Sequence, residues 1–408
     1  MSKNKHVIIL GAGSSCSSGY PAARQLTKLM ADPKHFFRYL NDLLAKEDMP
    51  SANPEIQTIA RNLFAAFEPA AKVLKDGSFA TMDELSNLAF GGSRASDILT
   101  LKQELRLVFG MDNPHVWHWG SSDYPSFVNA IFQGKETPRD DICVLSFNYD
   151  PYLDFLLDEA LLARHSLRNV EPDKARYFLQ AATSGFCYPH DLRWLSEDGF
   201  SHLKLHGTSA APETPERSAK KEFTYKRLLC PDILKRFQFL YEAHGMNQHP
   251  PVLLPWEIIH PTEGRLLSEA EFQKTVGPDW PYVMLYSLFK GIWERARTEV
   301  QNAERISFIG ISMGKFLEPE LKYLFRNKHI LGNLSLVVAN PSNETAKLNH
   351  YGNPIDRHSP VGRVYFFLRD LHRAGELSLL SRSPEAFEHS VNVASRLSFT
   401  DFISFVLE

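Results

Sequence analysis

The side chains with chemical potential in this chain gather at the ends of apolar runs. Ser146-Phe147-Asn148-Tyr149-Asp150 closes one run, and Leu205-His206-Gly207-Thr208 closes another. Imidazole titrates near neutral pH, so His206 can take a proton from a hydroxyl or a water. The neutral amide of Asn148 can orient a water or a sugar without adding charge, and Asp150 can hold the local network. A third run, Val7 to Leu10, breaks into Gly11-Ala12-Gly13-Ser14-Ser15, and a helical pattern resumes from Ala22 to Met30. Without a Cβ, Gly11 and Gly13 let the backbone approach a diphosphate closely. The helix that follows offers that anion unpaired N–H groups and the positive end of its dipole. Each motif has a plainer reading: a Gly-x-Gly can be an ordinary tight turn, and a lone strand-end histidine can be structural. Ser14 and Ser15 can donate to phosphate or cap the helix. Arg24 can reach a diphosphate or a substrate carboxylate, or lie in solvent. Cys16 reads as one small buried cysteine, not a nucleophile.

Holding these groups together requires strands whose carboxyl ends share one edge. A fourth run, Ile306 to Ser312, ends in Gly310, Ile311 and Ser312. In an open α/β sheet ligands bind outside the carboxyl ends of the strands, so the four ends converge on one crevice. Further strands are expected at 334–339 and, last, at Arg363–Leu368. Residues 31–135 read as mostly helical, with Phe36, Phe37, Leu40, Leu43 and Leu44 at helical spacing. Thr81 and Glu84 have capping-box spacing for a helix start. The fold class is therefore α/β: a Rossmann-like, mostly parallel sheet with helical inserts. One domain over 1–408 is expected, with a helical insert at about 31–135 and a second helical and loop insert at about 160–200 and 210–250.

Composition narrows the function classes. With 408 residues, 43% of them hydrophobic, the chain can bury a large core. A net charge of −3 gives no global basic field for nucleic acid or acidic membranes. The basic run Arg217 to Arg227 is better read as a solvated face, so direct nucleic-acid binding is not expected. No apolar run reaches the about 18 residues of a membrane helix. The first apolar stretch is too short for a signal peptide. The four cysteines show no disulfide spacing. A cytoplasmic protein is expected. The aromatic patch His115 to Trp119 suits core or interface packing better than a metal site. The apolar tail Phe387 to Phe402 suits either an interface or a return onto the core.

In order and in strand context, GAGSS…SGYP (11–21), SFNYD (146–150), KLHGT (204–208), FIGIS (308–312) and VVANPS (337–342) resemble the sirtuin-like superfamily, in particular its divergent bacterial branch. The resemblance implies a Rossmann-like core that binds NAD+ and cleaves the bond between nicotinamide and ribose. It implies Asn148 and His206 as the catalytic pair, with Asp150 beside them. It places Gly11, Ala12, Gly13, Ser14, Ser15, Gly19, Tyr20, Pro21 and Arg24 around NAD+, the first four on the diphosphate. Gly310, Ser312 and Asn340 fall near the ribose and adenine, and Val252–Trp256 resembles the family's next short strand.

The departures are informative. Protein-deacylating sirtuins carry two Cys-x-x-Cys pairs for zinc, whereas Cys16, Cys143, Cys187 and Cys230 form none, so no metal is expected. Ala22-Ala23-Arg24 stands where the family has Asp-Phe-Arg, Asn148-Tyr149-Asp150 stands for Asn-Ile-Asp, and no acyl-lysine tunnel segment follows His206. These losses favour hydrolysis of NAD+ to nicotinamide and ADP-ribose, in the family's setting of antiphage defence by NAD+ depletion. The alternatives are NAD-dependent protein deacylation and a non-catalytic NAD or ADP-ribose sensor. The family's setting also implies a homo-oligomer or a partner defence protein that gates activity.

Overall fold

The structure is a computed structural model. It describes residues 5–46, 53–76, 81, 84, 95–111, 122–165, 199–209, 232–245, 250–276, 285–311, 313–314, 316–330, 333–345, 347, 354–379, 386–396 and 398–404. Six strands form one parallel sheet: β1 (Lys5–Leu10), β2 (Ile142–Ser146), β3 (Ser201–Lys204), β4 (Ala303–Ile309), β6 (Leu334–Ala339) and β8 (Val391–Arg396), in the order β3-β2-β1-β4-β6-β8. A small parallel pair, β5 (Lys328–Ile330) and β7 (Leu377–Leu379), lies apart from it.

Both faces of the central strands are covered, which explains why β1, β2 and β6 are near-continuous apolar runs. In β1, Val7 and Ile9 join Leu145 and Phe308 in one core, while Ile8 and Leu10 join Val144 and Ile309 in the other. Helices Tyr286–Asn302, Glu318–Phe325 and Pro360–Arg373 supply the first core. Ala23–Ala31, Ala95–Met111, Asp123–Phe132 and Tyr152–His165 supply the second. A third cluster joins Phe36, Leu40, Leu63 and Phe67 of helices Pro33–Lys46 and Pro54–Asp76 to Ile233, Phe237 and Leu240 of helix Ile233–Gly245. Elements from the two expected inserts thus pack against one another.

The strand order reverses at β1. The chain builds β2 and β3 to one side, then returns to build β4, β6 and β8 on the other. The crevice between the carboxyl ends of β1 and β4 is the topological switch point, where such sheets leave room for a ligand.

Several local expectations change. Arg363–Leu368 is helical, inside Pro360–Arg373. Its β-branched and aromatic residues suggested a strand, yet the buried positions Val361, Val364, Tyr365, Leu368 and Leu371 follow a helical period. Pro360 and the N-cap Ser359, whose hydroxyl accepts the Gly362 N–H, start that helix. Val252–Trp256 contributes one antiparallel bridge, Val252 to Gly207, not a strand. The apolar tail returns to the core: Phe387 and Phe402 are fully buried, and Val391 opens the edge strand β8. Cys16 is exposed, not buried. Thr81 and Glu84 form a turn through a Glu84 N–H to Thr81 carbonyl bond of 3.1 Å. The rest of that expected helix start, the patch His115–Trp119 and the run Arg217–Arg227 lie outside the described residues. Among the described residues no helix is long and apolar enough to cross a membrane.

Candidate functional site

The floor of the crevice is two glycine turns in contact. After β1 the chain turns through a 3-10 segment, Ala12–Ser18, whose end is marked by Gly19 at φ +84. Gly310, at the end of β4, has φ +62, and its carbonyl accepts the Gly13 N–H at 3.0 Å. A Cβ on Gly13 would stand 2.8 Å from the Gly310 Cα, and one on Gly310 would stand 2.2 Å from the Ser14 nitrogen. The glycines are therefore required by the approach of one turn to the other. The Gly13 N–H is already committed within the protein. The first turn of helix Ala23–Ala31 has no side-chain cap, and Ala22 and Ala23 line the cavity.

Above this floor sits the amide of Asn148. The Ser14 hydroxyl donates to the Gly11 carbonyl at 2.8 Å, and the Ser15 hydroxyl donates to Asp150 Oδ2 at 2.7 Å. With their protons committed, both serine oxygens can only accept. They take the Asn148 Nδ2 hydrogens at 3.0 and 2.9 Å. The Tyr124 hydroxyl joins all three groups, 3.0 Å from each serine oxygen and 3.3 Å from Nδ2. This network assigns the two ends of the amide and leaves Asn148 Oδ1 buried with no hydrogen-bond partner. Burial pushes the Asp150 carboxyl up, against the opposing pull of Lys204, the Ser15 hydroxyl and the Tyr152 N–H.

Beneath this loop is a buried ionic cluster. Lys204 donates to the Asp150 carbonyl and lies 3.2 Å from Asp154, whose other oxygen is 3.2 Å from His202. Burial pushes the Asp154 carboxyl up, but Lys204 and His202 outweigh it and hold the group at about 2.

His206 lies two residues past the end of β3. Its ring stacks on Tyr149 at 5.9 Å and meets the edge of Phe147 at 5.0 Å. Its Nε2 lies 2.9 Å from Oε2 of Glu320, which is fully buried. The other Glu320 oxygen accepts the Trp256 backbone N–H at 3.4 Å.

These groups surround a cavity of ≈ 520 Å³. Gly11, Ala12, Gly13, Ser15, Tyr20, Pro21, Asn148, Asp150, His206, Gly310 and Asn340 line it, so the ends of five strands, β1, β2, β3, β4 and β6, meet there. Ser14 is buried beneath the wall, Gly19 and Arg24 do not line the cavity, and Arg24 is exposed. Ser312 lies outside the described residues. The remaining wall is mainly apolar, with Phe109, Phe147, Tyr149, Phe316 and Leu317, as binding cavities usually are. None of its described residues is a lysine or arginine. Among the described residues no three His, Cys, Asp or Glu side chains are grouped to hold a metal ion.

Sequence reasoning missed Tyr124 and Glu320. Tyr124 sits in an amphipathic helix where any aromatic reads as core. Glu320 shares the first turn of its helix with the exposed Glu318, and two such acids read as partners of the helix dipole.

Fold and crevice define an α/β protein of Rossmann-like architecture with a ligand-sized cavity at its switch point. No protein-family model matches the chain, and no curated protein matches it.

Proposed function

We propose that the chain is an NAD+ glycohydrolase, using water to release nicotinamide and leave ADP-ribose. The observation that carries this reading is the amide of Asn148. The Ser14–Ser15–Tyr124 network fixes its direction, and it presents an unpaired buried oxygen beside the cavity. A buried acceptor without a partner costs roughly 1–3 kcal/mol, so a site that keeps one is suited to a donor on a ligand or a water. The resemblance of the strand-end motifs to the sirtuin-like superfamily supplies the substrate class.

In this reading, water oxygen bonds to the ribose anomeric carbon as the glycosidic bond breaks. Nicotinamide leaves neutral with the electron pair, and the water's proton passes to His206. Asn148 orients the sugar or the water, and Asp150 supplies negative potential in a wall whose described residues include no cationic side chain, compatible with a cationic leaving group. The first turn of Ala23–Ala31 serves the diphosphate. Antiphage defence by NAD+ depletion, cytoplasmic residence and gating by self-association or a partner belong to the same proposal and rest on the resemblance alone.

The test follows nicotinamide and ADP-ribose by chromatography after NAD+ is added to the purified full chain. Stoichiometric release of both, lost in Asn148→Ala and His206→Ala variants, supports the reading. No NAD+ consumption at high enzyme, with candidate activators present, overturns it. Release that depends on an acylated peptide and yields acyl-ADP-ribose replaces it with deacylation. Tight NAD+ binding without turnover replaces it with a sensor.

A further inference from the structure

We infer that Glu320 is a positioning residue of this site: it fixes the proton of His206 on Nε2 and locks the ring to the Pro255–Trp256 turn of the cavity wall. The inference rests on the hydrolase reading for its kinetic consequence, but its structural content stands apart from it.

Three observations converge on Glu320. Its side chain is fully buried, whereas Glu318, two residues earlier on the same helix, is exposed. A buried carboxylate needs compensation, and this one finds it in N–H groups from two other segments. Oε2 is 2.9 Å from His206 Nε2, and Oε1 is 3.4 Å from the Trp256 backbone nitrogen. Each oxygen faces an N–H donor, so the ionised form fits both contacts without a proton of its own. An ionised carboxylate only accepts, which places the His206 proton on Nε2 and leaves Nδ1 as the basic nitrogen of the neutral ring.

The Trp256 contact gives this arrangement a second consequence. Trp256 has φ +71, a left-handed conformation that a residue with a Cβ adopts at a cost. Two bonds hold it there: its backbone N–H to Glu320 and its indole Nε1–H to the Phe316 carbonyl at 3.0 Å. Its neighbours Pro255 and Phe316 both line the cavity. One side chain therefore sets both the tautomer of the proposed base and the position of the wall beside it. A carboxylate that orients a histidine in this way recurs on unrelated catalytic folds, where it never touches substrate.

The experiment uses the full chain labelled with 15N-histidine, the His206 signals being assigned by their loss in His206→Gln. In the wild-type protein, at a pH above the titration of the ring as followed by the same shifts, the Nε2 shift should be that of a protonated nitrogen and the Nδ1 shift that of a bare one. In Glu320→Gln the side chain keeps its size, but its amide can donate as well as accept, so the proton should spread over both nitrogens. For NAD+ hydrolysis by this variant, kcat should fall about tenfold or more while KM stays within about twofold, because positioning acts on the transition state. A wild-type His206 protonated on Nδ1 overturns the inference. So does a Glu320→Gln variant with an unchanged His206 spectrum and wild-type kcat. If Glu320→Gln fails to fold, the wild-type spectrum still decides. If the wild type proves not to hydrolyse NAD+, the hydrolase reading falls while the spectra alone judge Glu320.

Discussion

Replacing Gly310 with alanine tests the idea that the crevice exists because two glycine turns touch. Gly310 has φ +62, so an L-residue there pays about 1–2 kcal/mol for the left-handed backbone alone. The added Cβ would also stand 2.2 Å from the Ser14 nitrogen and 2.4 Å from the Gly13 carbonyl carbon. Unstrained carbon contacts lie at roughly 3.5–4.0 Å, so one turn must retreat by more than an ångström. Both neighbours are backbone atoms and cannot rotate away. Overpacking of this kind costs typically about 1–3 kcal/mol, giving a total of about 2–5 kcal/mol. Gly134 is the control: its φ is +71, yet a Cβ there meets nothing within 4 Å. Gly134→Ala should therefore lose only the backbone share, about 1–2 kcal/mol. Urea unfolding of both variants, with slopes compared to confirm a common mechanism, measures the difference. The Ser14 shift should also loosen its bond to Asn148, so any residual NAD+ hydrolysis in Gly310→Ala should drop where Gly134→Ala leaves it intact. Equal destabilisation of the two variants would refute the contact argument, because the steric share would then be absent.

Three further outcomes are expected. Burial, with help from Arg305 and Arg139, lowers the pKa of His6 from 6.5 to about 3, so in that window the unfolded chain binds a proton that the folded chain does not. Stability should fall as pH drops through the window, by about 1.4 kcal/mol per unit, and the stability difference between wild type and His6→Gln should shrink accordingly; a flat difference between pH 7 and 4 would exclude this. Asn148→Ala should cost only about 1 kcal/mol in urea, because the Ser14, Ser15 and Tyr124 hydroxyls still bond one another, Gly11 and Asp150, while nicotinamide release falls about a hundredfold or more. Unfolding at room temperature would instead make Asn148 structural. Lys102 and Glu257 form a buried pair at 2.6 Å, so Lys102→Met should strand the carboxylate and cost about 3–5 kcal/mol by denaturant titration, against less than 1 if the pair were solvated.

Much of this protein was legible in its residues. Parallel strands buried on both faces must be apolar throughout, so Val7–Leu10, Ile142–Ser146 and Leu334–Ala339 stood out by composition alone. A ligand crevice needs backbone turns and polar groups at strand ends, so Gly11, Asn148, His206 and Gly310 were found from local context. Local patterns also misled. The run Arg363–Leu368 has strand-forming residues, yet the period of its buried side and the Ser359 cap make it a helix. The edge strand β8 was invisible, because only Val391 among its residues is fully covered and the rest alternate too weakly to register.

What the chain could not disclose locally was which groups become neighbours. Ser14 and Ser15 read equally as phosphate donors or helix caps until Gly11, Asp150 and Asn148 were placed around them, committing their protons. Gly13 suggested room for a ligand, but the space its missing Cβ leaves is filled by Gly310, 297 positions away. Glu320 is 114 residues from His206, and nothing in its own helix distinguishes it from the exposed Glu318. Residue type and spacing determine which chemistry a segment can perform and which secondary structure it prefers, because both are set within a few residues. The direction of a shared proton, the burial of a charge and the closure of a glycine contact depend on partners brought in from elsewhere in the chain, and only the tertiary structure decides those.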